Sequence, residues 1–597
     1  MNLARFLAVT PLVACVCLGL APGAESKPSN KDTRALHALL AAEWDHTMEQ
    51  APTWASSLGD RRWNDRWGEA SLQAIEKNHG HDRDALARLN KVDRRKLSTG
   101  DQLNYDLFEY ETKLAIEEYQ YRWFLVPLNQ REGIQTADEL ADALRFETVK
   151  DFEDWLGRLR RFDVLMDQTI ALMRQGVRER RVQPKITMQR VPAQVDKQLV
   201  GTPEASPFFK PFTNFPPAIA ASERTRLADA ARDAIATKVL PAYRRLKEYL
   251  TAEYLPACFD QVGAWQLPDG EATYAFFARK FTTTQLTPRE IHDLGLREVE
   301  RIGREMQRVM DQVGFQGTRQ EFFKFLRTDP RFYCKSADEL LTTYRAVAKR
   351  IDPQLVKVFR TLPRAPYGVE PIPDKIAPDT TTAYYRVLAA DGSRAGSYFV
   401  NLHKPEMRPK YEMMALSLHE AVPGHHFQFA IAFEQGALPE FRRYGGERAY
   451  TAYIEGWALY AESLGDDMGL YDDPYSKFGQ LTYEMWRAVR LVVDTGMHAL
   501  RWDRQKAIDF FLANAAKSEL DVINEIDRYI SWPGQALAYK IGELKIKELR
   551  AQATGELGAR FNLGEFHDVV LKSGAVPLHI VERNVKAWIA EKKRKSE

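Results

Sequence analysis

Four cysteines occur in 597 residues, and two of them, Cys15 and Cys17, fall in the first seventeen. That excludes a disulfide-stapled scaffold, because only Cys258 and Cys334 lie deeper in the chain. Those two form either one bridge or a pair of buried thiols. Charge of one sign is also lacking: Lys plus Arg number 84 against 82 Asp plus Glu, a formal net of +2, so bulk electrostatics offer nothing to nucleic acid. Beyond the N-terminus no apolar run is long enough for a membrane span. Internal repeats, low-complexity tracts and polar linkers are missing as well, which excludes a solenoid or a string of tethered modules.

What is there begins with an export signal. Arg5 precedes an apolar stretch, Phe6 to Leu20, followed by the small residues Gly19, Ala21, Gly23 and Ala24. This is the pattern of a secretory signal peptide over residues 1–24, with a periplasmic or extracellular product. The segment Leu12-Val13-Ala14-Cys15 also has the form of a lipobox, so lipid anchoring through Cys15 is the alternative to release.

The remainder, 31–597, is expected to be mainly α. It divides into an N-terminal helical part (about 31–250) and a catalytic part (about 251–597). Apolar residues at three-to-four spacing predict helices over Asp101–Tyr121, Val149–Arg178, Glu223–Tyr254, Pro288–Val313, Tyr411–Glu434, Glu447–Leu464 and Tyr475–Trp502. One short segment, Gly396–Leu402, alternates like a strand. Its Tyr398 is a candidate substrate contact, since a strand edge can hold a peptide by backbone hydrogen bonds. Leu362–Thr382 reads as loop.

Chemistry concentrates in His419-Glu420-Ala-Val-Pro423-Gly424-His425-His426. Two imidazoles and a carboxylate suit zinc, and the familiar helical arrangement is His-Glu-x-x-His with the Glu as general base. Here Pro423 stands where the second His should be. Six residues of regular helix would turn His425 away from His419, whereas seven return His426 to the same face but about 10 Å along the axis. A bulge at Pro423-Gly424 could absorb the two extra residues and restore His425. That favours His419 and His425 as zinc ligands, with His426 as a supporting or transition-state donor; His426 as ligand is the alternative. Glu455 and Glu462 lie seven apart on an otherwise apolar helix, where a carboxylate is costly unless paired or bound to metal. Glu455 is the candidate third ligand.

These two stretches, His-Glu-Ala-Val-Pro-Gly-His-His-Phe-Gln and Glu-Gly-Trp-Ala-Leu-Tyr-Ala-Glu, resemble the bacterial family known as domain of unknown function 885. That family is similar to the helical gluzincin peptidases: thimet oligopeptidase, angiotensin-converting enzyme and the thermostable carboxypeptidases. Dipeptidyl peptidase III has a His-Glu-x-x-x-His motif lengthened by one residue, where this chain has two more. The resemblance implies a zincin-like fold with two lobes around a deep cleft and a small sheet beside the active-site helix. It assigns Glu455 to one Zn2+ per chain and Glu462 to support behind the ligands. It further implies Glu420 as base, Tyr529 or Tyr539 as donors to the oxyanion, and short or unfolded peptides as substrates. Arg487 or Arg490 could bind a substrate carboxylate. Two other classes share these residues: a zinc hydrolase of non-peptide amides or esters, and a non-catalytic binding protein. Oligomeric state is not written in the sequence.

Overall fold

A computed structural model describes residues 30–595, apart from 375–376, 378–380, 389–393 and 436–437. The signal segment and Cys15 lie outside the described residues. The chain is mainly helical with one small sheet. Helix boundaries follow local chemistry. In the helix Pro288–Gln312 (α1), Pro288 takes the first helical position and Thr287 forms a capping box with Glu290. The segment Val149–Arg178 is two helices, Val149–Arg160 and Phe162–Arg178, parted at Arg161.

Three strands form the sheet: Tyr367–Pro371 (β1), Ala383–Arg386 (β2) and Gly396–Val400 (β3). β3 is central, parallel to β1 and antiparallel to β2. It is buried along its whole length, as expected for a strand with neighbours on both edges. Leu362–Thr382, expected as loop, therefore contains β1.

Six helices carry the C-terminal third of the site: Met413–Glu420 (α2), His425–Glu434 (α3), Thr451–Met468 (α4), Pro474–His498 (α5), Glu519–Ser531 (α6) and Ala538–Leu557 (α7). α5 is buried on every side from Phe478 onward except at Trp486, so it forms the spine of this region. Residues Leu36 to Leu107 share one apolar core with Trp457, Ile546 and Val585, whereas Leu128 to Cys258 build a second core of their own. Cys258 and Cys334 are separate buried thiols.

α4 and α7 cross at Gly456 and Gly542, with backbones in direct contact. A Cβ on Gly542 would fall 1.9 Å from the carbonyl oxygen of Ala452, and one on Gly456 would fall 2.4 Å from the Gly542 Cα. Neither obstacle is a flexible side chain, so the helices must part to admit a methyl group. Gly542→Ala is expected to lose about 3 kcal/mol or more, read as a lower denaturation midpoint. Unchanged stability would show that the two helices can separate freely.

Candidate metal centre and its cavity

α2 ends at Glu420 and α3 begins at His425, so the histidines stand on two helices. This corrects the expectation of one bulged helix over Tyr411–Glu434. Ala421 (φ −100°, ψ −111°) and Gly424 (φ −76°, ψ −128°) are non-helical, and Val422–Pro423 is cis. A Cβ at Gly424 would sit 1.8 Å from the His419 carbonyl oxygen, so the chain can double back here only through glycine. The indole Nε1 of Trp457, on α4, donates to the Pro423 carbonyl at 2.8 Å, and His426 N donates to the Ala421 carbonyl at 3.1 Å.

The break turns His425 back onto His419. Their rings lie 4.9 Å apart and nearly perpendicular. Glu455 Oε2 is 3.5 Å from His419 Nε2 and 3.6 Å from His425 Nε2, and the three ligand atoms lie within 4.8 Å of one another. These separations exceed a hydrogen bond. They match the roughly 3.4 Å that parts two ligands bound at about 2.1 Å to a tetrahedral zinc. Glu455 Oε2 is buried with no hydrogen-bond partner, as is His425 Nδ1. Such an orphaned carboxylate oxygen between two imidazoles fits a cation. His419 Nδ1 lies 2.8 Å from Glu462 Oε1, an arrangement that holds the proton on Nδ1 and leaves Nε2 facing Glu455. Arg487 Nη2 is 3.5 Å from the same Glu462 oxygen.

Electrostatics separate the roles. Burial alone would lower His419, but Glu455 and Glu462 lift its pKa to about 9. Desolvation takes His425 down to about 4. Burial would raise Glu455, yet the two imidazoles beside it hold it near 2. Glu420 is pushed up to about 7, chiefly by burial, with Glu455 adding to the rise against the opposing His419.

A cavity of about 490 Å³ opens over this cluster, lined by His419, Glu420, His425 and Glu455. Trp486, Arg490, Glu525, Arg528, Tyr539 and the segment Thr381 to Tyr385 line it as well. Tyr539 and Arg490 are thus among the residues that line the cavity. Three other candidates are not. His426 is buried, with Nε2 donating to the Ala365 carbonyl at 3.0 Å and Nδ1 accepting from the Tyr385 hydroxyl at 2.9 Å, so neither nitrogen is left for metal or substrate. Tyr529 is fully buried; its hydroxyl donates to Glu525 at 2.6 Å and accepts from Arg490 Nε and Trp486 Nε1. Its proton is committed, and it cannot serve an oxyanion. Tyr398 is likewise sealed on the central strand, 3.4 Å from Ser417 Oγ. The strand that lines the cavity is β2, which among the described residues pairs with β3 alone.

Sequence reasoning missed Tyr385, Glu525 and Arg131. A signal existed for Glu525, which lies three and four residues before Arg528 and Tyr529 and so shares their helix face. None existed for Arg131, nearly three hundred residues from His419.

With this geometry established, the chain can be set beside known proteins. The pattern of one family, described as "Bacterial protein of unknown function (DUF885)", matches residues 52–585. The chain belongs to that family. A solved structure similar to this DUF885 chain is that of a "putative lipoprotein" from Colwellia psychrerythraea, with TM-score 0.86 and 29% identity over 94% of this chain and 99% of that one. A second, a "putative lipoprotein of unknown function" from Shewanella oneidensis, has TM-score 0.70 and 16% identity over 92% and 99%, and shares the fold. No curated protein matches the DUF885 chain. No helix among its described residues is long and apolar enough to cross a membrane.

Proposed function

We propose that this chain is an exported zinc-dependent hydrolase that cleaves short or unfolded peptides. The observation that carries the reading is the convergence of His419, His425 and Glu455, with Glu420 beside them on a cavity wall. His419, His425 and Glu455 would hold the ion, which when bound supplies Lewis acidity to a water and to the scissile carbonyl. Glu420 takes the proton from the attacking water and returns it to the leaving amine. Burial raises its pKa above the usual carboxylate range, which suits a group that must both take and return a proton. Tyr539, whose hydroxyl proton burial holds firmly, donates to the oxygen that gains charge. Glu462 fixes the His419 ring.

Among the described residues β2 pairs along one edge, and this favours peptide over other amides and esters, because an extended chain could add along the other by backbone hydrogen bonds. Similarity to the helical gluzincins points the same way and implies two lobes flanking the cavity. Export is supported by residues 1–24, and the two structural relatives described as lipoproteins add weight to anchoring at Cys15 over release.

The test is elemental analysis of purified protein together with mass spectrometry of an unfolded peptide pool. One zinc per chain is expected, with cleavage that a chelator abolishes and zinc restores. A zinc-loaded protein that cleaves esters and no peptide would move it to another hydrolase class. Failure to take up zinc would end the metallohydrolase reading.

A further inference from the structure

Two of the three clustered histidines converge on Glu455, and the third, His426, is turned to the sheet, where it adjoins all three strands. Its Nε2 donates to the carbonyl of Ala365, two residues before β1, at 3.0 Å. Its ring lies 4.9 Å from that of Tyr367, the first residue of β1. Its Nδ1 accepts from the hydroxyl of Tyr385, on β2, at 2.9 Å. Gly396, the first residue of β3, leaves room for this pair: a Cβ there would fall 2.3 Å from the Tyr385 hydroxyl oxygen and 2.7 Å from His426 Nδ1. A second tie runs from Tyr398 on β3 to Ser417, two residues before His419, at 3.4 Å.

The tie at His426 reaches the cavity through Tyr385. β2 lines the cavity from Ala383 to Tyr385. The Tyr385 ring stacks on that of Phe429 at 6.2 Å, and Phe429 in turn lies 6.3 Å from the His425 ring. His425 and His426 are consecutive, so their Cα atoms stand about 3.8 Å apart whatever the surroundings do. One stretch of backbone therefore carries both a candidate metal ligand and the residue that fixes β2. The place of the strand relative to the metal cluster is set by covalent structure and buried hydrogen bonds, which are costly to break because no water replaces them.

We propose that His426 is a positioning residue that sets the register of an extended peptide against the metal, acting through Tyr385 and β2. The inference rests on the peptidase reading above. A peptide added along β2 meets the ion at a single bond only if the strand is held still. Side chains of a strand alternate between its faces, so the nearest register that presents the same side chains to the wall is displaced by two residues. Loosening β2 should therefore admit cleavage two residues away, besides lowering the rate.

The experiment uses zinc-loaded full-length protein and two substrates. One is a blocked peptide of about ten residues, extended over roughly 33 Å and chosen because the wild type cuts it at one bond; the other is a blocked dipeptide too short to run along β2. Tyr385→Phe, which removes a single oxygen, and His426→Leu, which removes both hydrogen bonds, should keep their zinc. Each should lose more kcat/KM on the long peptide than on the dipeptide. For His426→Leu the difference should be about 100-fold, the cost of a misplacement of about 1 Å. Mass spectrometry should show new products displaced by two residues. His426→Gln, which keeps one donor and one acceptor, should restore the single cleavage site. Tyr385→Phe keeps the test decisive should His426→Leu fail to fold. Equal losses on both substrates with the cleavage site unchanged overturn the inference and leave the peptidase reading intact, as does a lower denaturation midpoint alone. Zinc lost from Tyr385→Phe also overturns it, since the tyrosine would then act on the metal. If the wild type cleaves no peptide, the peptidase reading falls and this inference with it.

Discussion

Replacing His425 with alanine should strip the protein of zinc, while His426→Ala should keep zinc and lose stability. The two residues are neighbours, yet the helix break sends them in opposite directions. His425 Nε2 faces Glu455, and its loss leaves two ligands where three converge. Changing a group that merely supports a ligand already costs roughly 10–100-fold in metal affinity, so loss of a ligand should exceed that range. His426 spends both nitrogens on Ala365 and Tyr385. Its removal deletes the hydrogen bonds to the Ala365 carbonyl and the Tyr385 hydroxyl, an effect of about 2–3 kcal/mol. Dialysis against a graded zinc buffer, with thermal denaturation in parallel, reads both. Zinc lost from His426→Ala and kept in His425→Ala would reverse the assignment.

Glu420→Gln should lower kcat/KM by about a thousandfold with zinc occupancy unchanged, within the 10²–10⁴ that a positioned base contributes. The amide has the size of the carboxylate, so the buried site need not repack. It cannot accept a proton from water, and it removes a charge that now lies against Glu455. The loss should fall on kcat, because Glu420 acts on the attacking water and the leaving amine and holds no part of the bound peptide in place. Activity within tenfold of wild type would remove Glu420 from the mechanism and direct attention to Glu525, the other carboxylate on the cavity wall that does not belong to the metal cluster.

The sequence shows the candidate metal cluster plainly and the rest of the cavity wall faintly. His419, Glu420, His425 and Glu455 could be found from residue type and spacing, because metal ligands are few in kind and closely placed. The physical means of joining the histidines was not legible: Pro423-Gly424 signals irregular backbone but does not say whether a helix bulges or stops. Tyr529 and Tyr539 looked alike in sequence, and only their partners separate them, since Glu525 takes the proton of one and the other lines the cavity. Tyr398 was placed on a strand correctly, but strand order decides which strand is an edge, and four-residue β2 carries too little pattern to declare itself. Arg131 lies beyond any local signal.

The strap from Trp457 to Pro423 has a consequence for recognising such sites elsewhere. In a continuous helix the pitch alone fixes how far apart two histidines stand. Here the distance is set by a connector that the glutamate-bearing helix clamps through one indole, two residues after Glu455. Spacing and clamp thus act together in this chain, so that His-Glu-x4-His by itself is an incomplete signature of this arrangement and Glu-x-Trp is its other half. A sequence with the first and without the second would have the ligands of this centre but no means of holding them at this distance.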